Sequence, residues 1–398
     1  MRLHGLLICG VLLALAWAPA WAVLSERVWE QLGDIHEHIS EARLEAAEEA
    51  LETLARRVSD DSHEAARVLE ARARLHEARD EADTALTYIE QALAIAAIPE
   101  DLRWHLEYAR ARLLVDQGDH ETALARLEAW FEAVESPAPR AWMLRALIYM
   151  ELERPDDAIA AARRAIGMAS QPRADWYGFL AGALMREQAW AEAQAVLERM
   201  LRHWPLRERY WEQLAAVQMQ REAYAEALTT LRTAEAAGVL EQASAIVRLV
   251  QLTMMEGLPA PGARLLEAAL AADSLETDAE HLELLADAWL MAREWTQAMG
   301  ALEQLARLAE EGKHWQRLAR LAFERQQPAQ AVRYAHKALA AGVDSPARVY
   351  MLEGMAHIEL AQYEAATAAF ERAREDEAVA RQAGQWLRYI EAIQGNTD

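Results

Sequence analysis

Cysteine, asparagine and lysine are almost missing from this chain of 398 residues. The one thiol is Cys9, asparagine occurs only as Asn396, and lysine occurs only as Lys313 and Lys337. A single thiol excludes a disulfide framework and any zinc site built from several cysteines. Glycine and proline are also few, with 16 and 11 residues. Their scarcity favours helix, because these two residues are the weakest helix formers.

Sequence motifs that carry chemistry are absent as well. The chain has no His-Glu-x-x-His pair for zinc and no glycine-rich loop of the type that holds nucleotide phosphates. His36 and His38 are two residues apart and therefore point to different sides of a helix. Adjacent carboxylates such as Glu48 and Glu49 are typical of a solvated helix face. We therefore predict a non-enzymatic protein with no catalytic residues, no metal site and no cofactor.

Positive charge is scarce relative to negative charge. The chain has 41 Lys and Arg residues against 64 Asp and Glu residues, which gives a formal net charge of −23 at pH 7. Nucleic acids are polyanions and are bound by basic surfaces, so we expect no nucleic-acid partner. The acidic surface favours a protein or peptide partner with basic segments, because opposite charges attract.

Only one long hydrophobic run occurs, and it lies at the N-terminus. Arg2 precedes an apolar segment from Leu6 to Trp17, and Ala20-Trp21-Ala22 fits the small-x-small rule for cleavage. We interpret residues 1–22 as a secretory signal peptide that is removed together with Cys9, which leaves residues 23–398 as the mature chain. The alternative is an uncleaved anchor, since about 20 apolar residues suffice to cross a bilayer. We expect membrane association only through such an anchor or through a partner.

A two-helix pattern in residues 174–205 represents the organisation of the rest of the chain. Apolar residues at helical spacing run from Tyr177 to Leu184, a polar turn follows near residues 187–191, and a second apolar stripe runs from Ala193 to Met200. Pro205 ends the pattern, because proline cannot continue a helix. The pattern returns about 34 residues later, and a fixed period of two helices indicates a helical solenoid.

Small residues mark the same two positions in successive units, where two helices must approach closely. Those of the second helices recur every 33 to 38 residues and are Ala47, Ala85, Ala123, Ala158, Ala193, Ala227, Gly262, Ala298, Ala331 and Ala366. At the matching position of the first helices, twelve residues earlier, eight of the ten residues are Ala or Gly, namely Ala73, Ala111, Ala146, Ala181, Ala215, Ala286, Ala319 and Gly354. The two exceptions at this position are Ile35 and Val250. We predict an all-α solenoid of about ten helical hairpins. Val379 to Ile393 should form a C-terminal capping helix, because the last repeat would otherwise expose its apolar face.

These units resemble the tetratricopeptide repeat over nearly the whole mature chain. One unit matches the motif at Trp211, Leu214, Ala215, Ala227, Leu231 and Ala234, and another at Tyr350, Gly354, Ala366, Phe370 and Ala373. The resemblance implies a right-handed superhelix. Arg110 and Arg145 stand where the motif usually has leucine, and Gly262 replaces the usual alanine. These departures leave open a shift of a few residues in the units that contain them. The exact register of the first three units is also left open.

In tetratricopeptide arrays the concave surface comes from the first helices, and the resemblance therefore implies a candidate peptide-binding groove. Its residues, each four positions after the small first-helix residue, are Met150, Met185, Met219, Met254, Leu290, Phe323 and Ile358. Methionine is flexible and suits amphipathic peptides, although the same residues would also serve to fill gaps between helices. The lysine–asparagine clamp that grips a terminal carboxylate in many such arrays is absent. Arg112 and Arg320 are the candidates for holding an anion, and the alternative is that each forms a local ion pair on its acidic helix.

Two further features leave alternatives open. Trp211 and Trp315 occupy the large-residue position of the repeat and should pack, whereas Trp176 lies one position away and is a candidate for stacking on carbohydrate. Glycine and proline cluster in one turn at Gly257, Pro259, Pro261 and Gly262. This cluster indicates either a flexible joint near residues 256–262 or a slightly longer turn.

Several phrases along the mature chain resemble a narrower family. They are LSERVWEQLGDIHEHISEARLEAAEEAL at its start, ALARLEAWF, WYGFLAGALM and YWEQLAAVQMQREAYAEAL in its middle, and ARQAGQWLRYIEAI at its end. They are similar to the periplasmic tetratricopeptide proteins associated with TonB–ExbB–ExbD systems of Gram-negative bacteria. The resemblance implies a protein-binding scaffold in the periplasm that assists TonB-dependent uptake across the outer membrane, with TonB, ExbB or ExbD as partner. The alternatives are a scaffold for polysaccharide export or outer-membrane assembly, and a glycan-binding accessory.

Overall fold

Helices account for all regular secondary structure in the part of the chain that the structure describes. A computed structural model describes residues 24–96 and 98–395, and this part holds 21 α-helices and no β-strand. The first ten helices are α1 (Glu26–Ser40), α2 (Leu44–Ala55), α3 (His63–Ala78), α4 (Ala82–Ala94), α5 (Glu100–Asp116), α6 (His120–Ala133), α7 (Pro139–Glu151), α8 (Pro155–Met168), α9 (Ala174–Arg186) and α10 (Trp190–His203). The others are α11 (Glu208–Gln220), α12 (Tyr224–Ala236), α13 (Ala243–Met255), α14 (Pro259–Ala271), α15 (Ala279–Met291), α16 (Trp295–Ala309), α17 (Gly312–Glu324), α18 (Pro328–Ala341), α19 (Pro346–Glu359), α20 (Tyr363–Arg374) and α21 (Ala380–Gly395).

The predicted all-α class and hairpin register are confirmed. Each odd-numbered helix up to α19 is the first helix of a hairpin, and the following even-numbered helix is the second. The chain divides into two compact units between Val196 and Leu197, inside α10. Every residue of the two small-residue series is buried, including those of the first three hairpins. The register that the sequence left open in those hairpins is therefore settled.

Arg145 shows how a charged residue fits where the repeat motif usually has leucine. Its guanidinium donates to Glu128, with Nη2 2.7 Å from Oε1. The same group lies over the rings of Phe131 and Trp142, with centroid distances of 5.0 and 5.4 Å. Ion pairing and cation–π contact together replace the apolar packing of leucine, so the helix pair keeps its register.

The hairpin turns share one backbone geometry. Five positions before the small residue of each second helix lies a residue with positive φ, and these residues are Ala42, Asp80, Gly118, Glu153, Gln188, Glu222, Gly257, Arg293, Gln326 and Ala361. The next residue donates its backbone N–H to the carbonyl five positions earlier, as Ala223 does to Gln218 at 2.9 Å. This is the Schellman arrangement that satisfies carbonyls at the end of a helix. It is repeated in the turns at non-glycine residues even though a Cβ disfavours positive φ.

Gly118→Ala is expected to destabilise the protein by about 1 kcal/mol, because Gly118 has φ of +80° and an alanine there would acquire the strain of a left-handed residue. The control is Glu222→Ala at the equivalent turn position, where φ is already +58° in a residue with a Cβ. Urea unfolding followed by circular dichroism measures both. If the two variants lose the same stability, the loss in Gly118→Ala does not come from placing a Cβ at a position with positive φ.

The turn rich in glycine and proline is of ordinary length. α13 ends at Met255 and α14 begins at Pro259, just as α11 ends at Gln220 and α12 begins at Tyr224. The interpretation of a longer turn is therefore wrong. Proline is accommodated as the first residue of α14, where its missing N–H would have no helical partner in any case. A flexible joint near residues 256–262 stays a prediction.

The predicted capping helix is confirmed as α21. Leu387 and Ile390 on this helix are buried, and Trp386 stacks on Phe370 of α20 with ring centroids 5.8 Å apart. The last hairpin thereby covers its apolar face, as a terminal repeat requires.

The predictions for the N-terminus lie outside the described residues. They are the signal peptide or anchor in residues 1–22 and the thiol of Cys9. Within residues 24–96 and 98–395, none of the helices combines the length and the apolar character needed to cross a bilayer.

Candidate functional site

The seven residues of the predicted groove column are all half-buried, and several of them pack between helices. Five of them, Met219, Met254, Leu290, Phe323 and Ile358, each contact a buried apolar cluster. Met254 lies against Gly262 of the partner helix, since a Cβ placed on Gly262 would be 3.3 Å from Met254 Cγ. Packing is thus one role of this column, and its role in peptide binding stays a prediction.

Phe323 of this column lines a groove of the C-terminal unit, which we call the α17–α19 groove. This cavity of about 680 Å³ is lined by Lys313, Gln316, Arg317, Arg320, Phe323 and Glu324 of α17 and by Arg348, Leu352 and Met355 of α19. Residues of α17 at spacings of three and four fall on one face of the helix. The groove therefore lies between the first helices of two successive hairpins.

The α17–α19 groove is positively charged, although the chain as a whole is strongly acidic. Four cationic side chains and one carboxylate line it. Arg317 is held by Asp287 at 2.5 Å, and Lys313 pairs with Glu311. Arg320 lies 3.9 Å from Glu324, a weaker contact, and no ion pair of Arg348 occurs among the described residues. Arg320 and Arg348 are therefore the cations most available to a ligand.

An adjoining cavity of mixed polar and apolar lining continues the groove toward the C-terminal helix. It has a volume of about 520 Å³ and is lined by Arg348, Met351 and Met355 of α19 together with Val379, Gln382, Gln385 and Trp386. Arg348 and Met355 belong to both cavities. Cationic, amide and apolar side chains thus follow one another along the first helices of the C-terminal unit. Such a surface suits an extended segment that alternates anionic and apolar side chains.

The two arginines that the sequence singled out as anion candidates have different positions. Arg112 Nη2 donates to Glu77 Oε1 at 2.5 Å and is therefore committed to an ion pair between neighbouring first helices. The pKa of Arg112 is raised because the contact with Glu77 outweighs burial, which acts in the opposite direction. Arg320 lines the α17–α19 groove. Arg348 was not predicted from the sequence, because Arg320, which lines the same groove, lies about one repeat away in the chain.

A second cavity, in the N-terminal unit, is aromatic. It has a volume of about 490 Å³, and Trp104, Tyr108 and Trp130 line it together with Asp101, His105 and Arg140. Tyr108 and Trp130 are in ring contact at 5.2 Å. Burial raises the pKa of the Tyr108 hydroxyl. The sequence did not single out Trp104 or Tyr108, although their spacing of four residues places them on one helix face.

The tryptophans that the sequence singled out on the first helices differ in burial. Trp315 is 7 % exposed and stacks on Tyr334 at 5.9 Å, as predicted. Trp211 is half-buried, and its Nε1 donates to the carbonyl of Pro205 at 2.8 Å. Trp176, the predicted carbohydrate-stacking candidate, is also half-buried. The aromatic cavity at Trp104 therefore offers a better-formed site for a ring-shaped ligand than Trp176 does.

Comparison with known proteins identifies the repeats. Sequence models of the tetratricopeptide repeat match residues 108–177 and residues 347–373. No curated protein sequence matches the chain.

Solved structures with a similar fold are distant in sequence. The apo form of RapI is 12 % identical, with 79 % of this chain and 97 % of that chain covered and a TM-score of 0.47. The C-terminal part of a TPR repeat-containing protein from Cytophaga hutchinsonii is 12 % identical, with coverage of 70 % and 95 % and a TM-score of 0.45. YrrB, a TPR protein with an unusual peptide-binding site, is 16 % identical, with coverage of 50 % and 99 % and a TM-score of 0.36. At these identities no function transfers from them.

Hairpins with paired small residues and a shared turn build both units, and two stretches of the chain match the family by sequence. Arrays of such repeats present extended surfaces for other proteins. Residues 108–177 and 347–373 are tetratricopeptide repeats, within an all-α chain of the same kind of hairpin.

Proposed function

We propose that this protein is a non-enzymatic scaffold that holds an extended segment of a partner protein in the α17–α19 groove. The observation that carries the proposal is the groove itself, which combines four cationic side chains with the apolar surface of Phe323, Leu352 and Met355. Apolar contacts supply most of the binding free energy in such grooves, and charges set specificity and the rate of association.

The local charge selects the kind of segment. Arg320 and Arg348 lie on facing helices, and neither is held by a close ion pair. Carboxylates of a partner would give them the strong charge-assisted hydrogen bonds that they lack. We therefore expect an acidic segment with apolar anchors in this groove. The basic partner expected from the net charge of −23 would contact the acidic surface outside it.

We propose further that the protein acts in the periplasm and assists TonB-dependent uptake. The support for this proposal is the resemblance of phrases along the mature chain to the periplasmic tetratricopeptide proteins associated with TonB–ExbB–ExbD systems. A periplasmic TonB segment rich in lysine and proline is the corresponding basic ligand. Co-purification of the protein with TonB, ExbB or ExbD from the periplasmic and inner-membrane fractions tests this part separately from the groove.

The groove is tested with two labelled peptides, one acidic and apolar and one being the TonB periplasmic segment. The double variant Arg320→Glu, Arg348→Glu is expected to bind the acidic peptide at least about tenfold more weakly than the parent, because two attractive charges become repulsive. The control is Arg232→Glu, an exposed arginine on the second helix α12. Fluorescence anisotropy measures the dissociation constants. Equal affinity in the double variant and the control would refute the groove.

The same assay distinguishes residues of the groove column that contact the peptide from residues that only pack between helices. Phe323→Ser is expected to speed peptide dissociation, because Phe323 lines the groove. Met254→Ser should leave dissociation unchanged and lower the melting temperature, because Met254 packs against Gly262. If both variants release the peptide at the parent rate, the column is packing alone.

Glycan binding is the second candidate, and the aromatic cavity at Trp104 favours it. Aromatic rings hold sugar rings by stacking, and Trp104 is half-buried at the cavity wall. A pull-down with peptidoglycan, compared between the parent and Trp104→Ala, decides this candidate. If peptidoglycan retains Trp104→Ala as well as it retains the parent protein, the aromatic cavity is not a glycan-binding site.

A further inference from the structure

Three potential metal ligands converge where α18 meets α19. His336 of α18 and Glu353 and His357 of α19 each place one ligand atom within 4.8 Å of the others. His336 Nε2 lies 2.8 Å from Glu353 Oε1, and His357 Nε2 lies 3.8 Å from the same oxygen. Glu353 and His357 are four residues apart and so share one face of their helix. The cluster joins the second helix of one hairpin to the first helix of the next.

A fourth residue fixes the orientation of His357. Its Nδ1 lies 2.7 Å from Gln362 Oε1, so Nδ1 carries the proton and donates it to the amide oxygen. The lone pair of the neutral ring is then on Nε2, which faces Glu353. Histidines that bind metals are oriented by such an outer partner in most known sites. Gln362 makes no side-chain cap of α20, although it lies at the N-cap position of that helix.

The buried carboxylate of Glu353 lacks the cations that stabilise the other buried glutamate. Glu70 is 4 % exposed and is contacted by Arg67, Arg74 and His105. Burial alone would raise the pKa of Glu70, but the hydrogen bond of His105 and the charges of Arg74 and Arg67 lower it to about 2. The ion pairs of Glu353 among the described residues are with His336 and His357 only.

Glu353 is also incompletely satisfied. It is 8 % exposed, and its Oε2 is buried without a hydrogen-bond partner. A buried carboxylate is costly unless a charge compensates it. No arginine or lysine pairs with Glu353 among the described residues, and a divalent cation bound by all three side chains would supply the compensating charge.

We infer that His336, Glu353 and His357 bind a divalent transition metal, with Zn²⁺ as the preferred ion. Imidazole and carboxylate are ligands of zinc, with bonds of about 2.0–2.2 Å that set the ligand atoms about 3.3 Å apart in a tetrahedral site. The separations of 2.8 and 3.8 Å lie on either side of that value. The third separation, between the ligand atoms of the two histidines, is at most 4.8 Å, so forming the site requires side-chain rotations and no change of the helix positions is implied. Three protein ligands leave the fourth position to water or to a group of a partner.

The location indicates what the metal would do. The site links α18 to α19, and α19 contributes Arg348, Leu352 and Met355 to the α17–α19 groove. Zinc would therefore fix the position of one wall of the groove relative to the preceding hairpin. The side chain of His336 is 60 % exposed, which leaves the site accessible to ions from solution.

The test is calorimetric titration of the full chain, stripped with EDTA and free of any histidine tag, with Zn²⁺ alone. The parent is expected to bind one Zn²⁺ ion and to melt at a higher temperature with zinc than without it. His336→Ala and Glu353→Gln are expected to weaken binding at least about 100-fold. Gln362→Leu is expected to weaken binding about 10- to 100-fold, as loss of an outer partner does.

The matched control is His105→Ala, which removes another exposed histidine paired with a buried glutamate. It is expected to leave zinc affinity unchanged. His336→Ala removes the nearest partner of the buried Glu353 carboxylate, so without zinc it should melt below the parent. It should also lose the zinc-dependent rise in melting temperature, which is the readout that a merely structural role of His336 would not change. Failure of the parent to bind Zn²⁺, or equal affinity in the parent and in both ligand variants, would overturn the assignment.

Discussion

The Ala215→Trp variant should unfold at a markedly lower temperature than the parent protein, because the substitution disturbs the packing of the sixth hairpin. Ala215 of α11 is 0 % exposed and belongs to a buried cluster with Ala227, Leu231 and Leu249. An indole would have to be inserted among residues that are already fully buried, since Ala227 and Leu231 of the same cluster are also 0 % exposed. Overpacking of this kind costs about 1–3 kcal/mol and sometimes more.

The control for this variant is Glu226→Ala, one residue before Ala227. The Glu226 side chain is 55 % exposed, and its contact with Arg221 is long, at 3.9 Å. Exposed pairs contribute little to stability, so this variant should melt within a degree or two of the parent. Differential scanning calorimetry compares the three proteins. Equal melting temperatures for Ala215→Trp and Glu226→Ala would mean that the register is misassigned.

The fold was predictable because its determinants repeat. Pairs such as Ala181 and Ala193 recur at a fixed distance, and close helix packing is the physical reason for small residues at both positions. The departures from the motif did not shift the register. Arg145 is accommodated by Glu128 and by aromatic rings, and Gly262 faces the bulkier Val250, whose carbonyl would lie 3.3 Å from an added Cβ. Compensation of this kind depends on the neighbour in space, so a motif comparison does not show it.

The candidate sites were less accessible to sequence reasoning, because their residues come from different hairpins. His336 and Glu353 are 17 residues apart, and no short motif joins them. Sequence motifs for zinc place their ligands within one helix or one loop, so the sequence alone predicts no metal site here. The cations of the α17–α19 groove come from helices one repeat apart, so no local motif contains them. The net charge of −23 predicts an acidic surface and gives no indication of a cationic groove. Charge summed over a chain describes its long-range field, whereas a groove is decided by the few side chains that line it.

Gly354→Ala should destabilise the last hairpin, and Phe370→Leu should restore much of the loss. A Cβ on Gly354 would lie 2.7 Å from Cε1 and Cζ of Phe370, whose side chain is fully buried. Phe370 also stacks on Trp386 of the capping helix. The ring can therefore not move aside without disturbing that helix. We expect a cost of about 1–3 kcal/mol for the single variant.

The rescue follows from the other hairpins. Ala111, Ala215 and Ala286 stand at the position of Gly354, and Leu127, Leu231 and Leu302 stand at the position of Phe370. Alanine facing leucine is thus a pair that this fold already packs, and all of these residues are buried. Phe370→Leu alone should leave a cavity and destabilise the protein.

The double variant should consequently be more stable than the sum of the two single losses predicts, with a coupling free energy of about 0.5–3 kcal/mol. Urea unfolding of all four proteins, followed by circular dichroism, completes the cycle. Strictly additive losses would show that the methyl group introduced by Gly354→Ala does not meet the ring of Phe370. In that case glycine at this position would reflect backbone requirements of α19, and the tenth hairpin would pack differently from the arrangement described above.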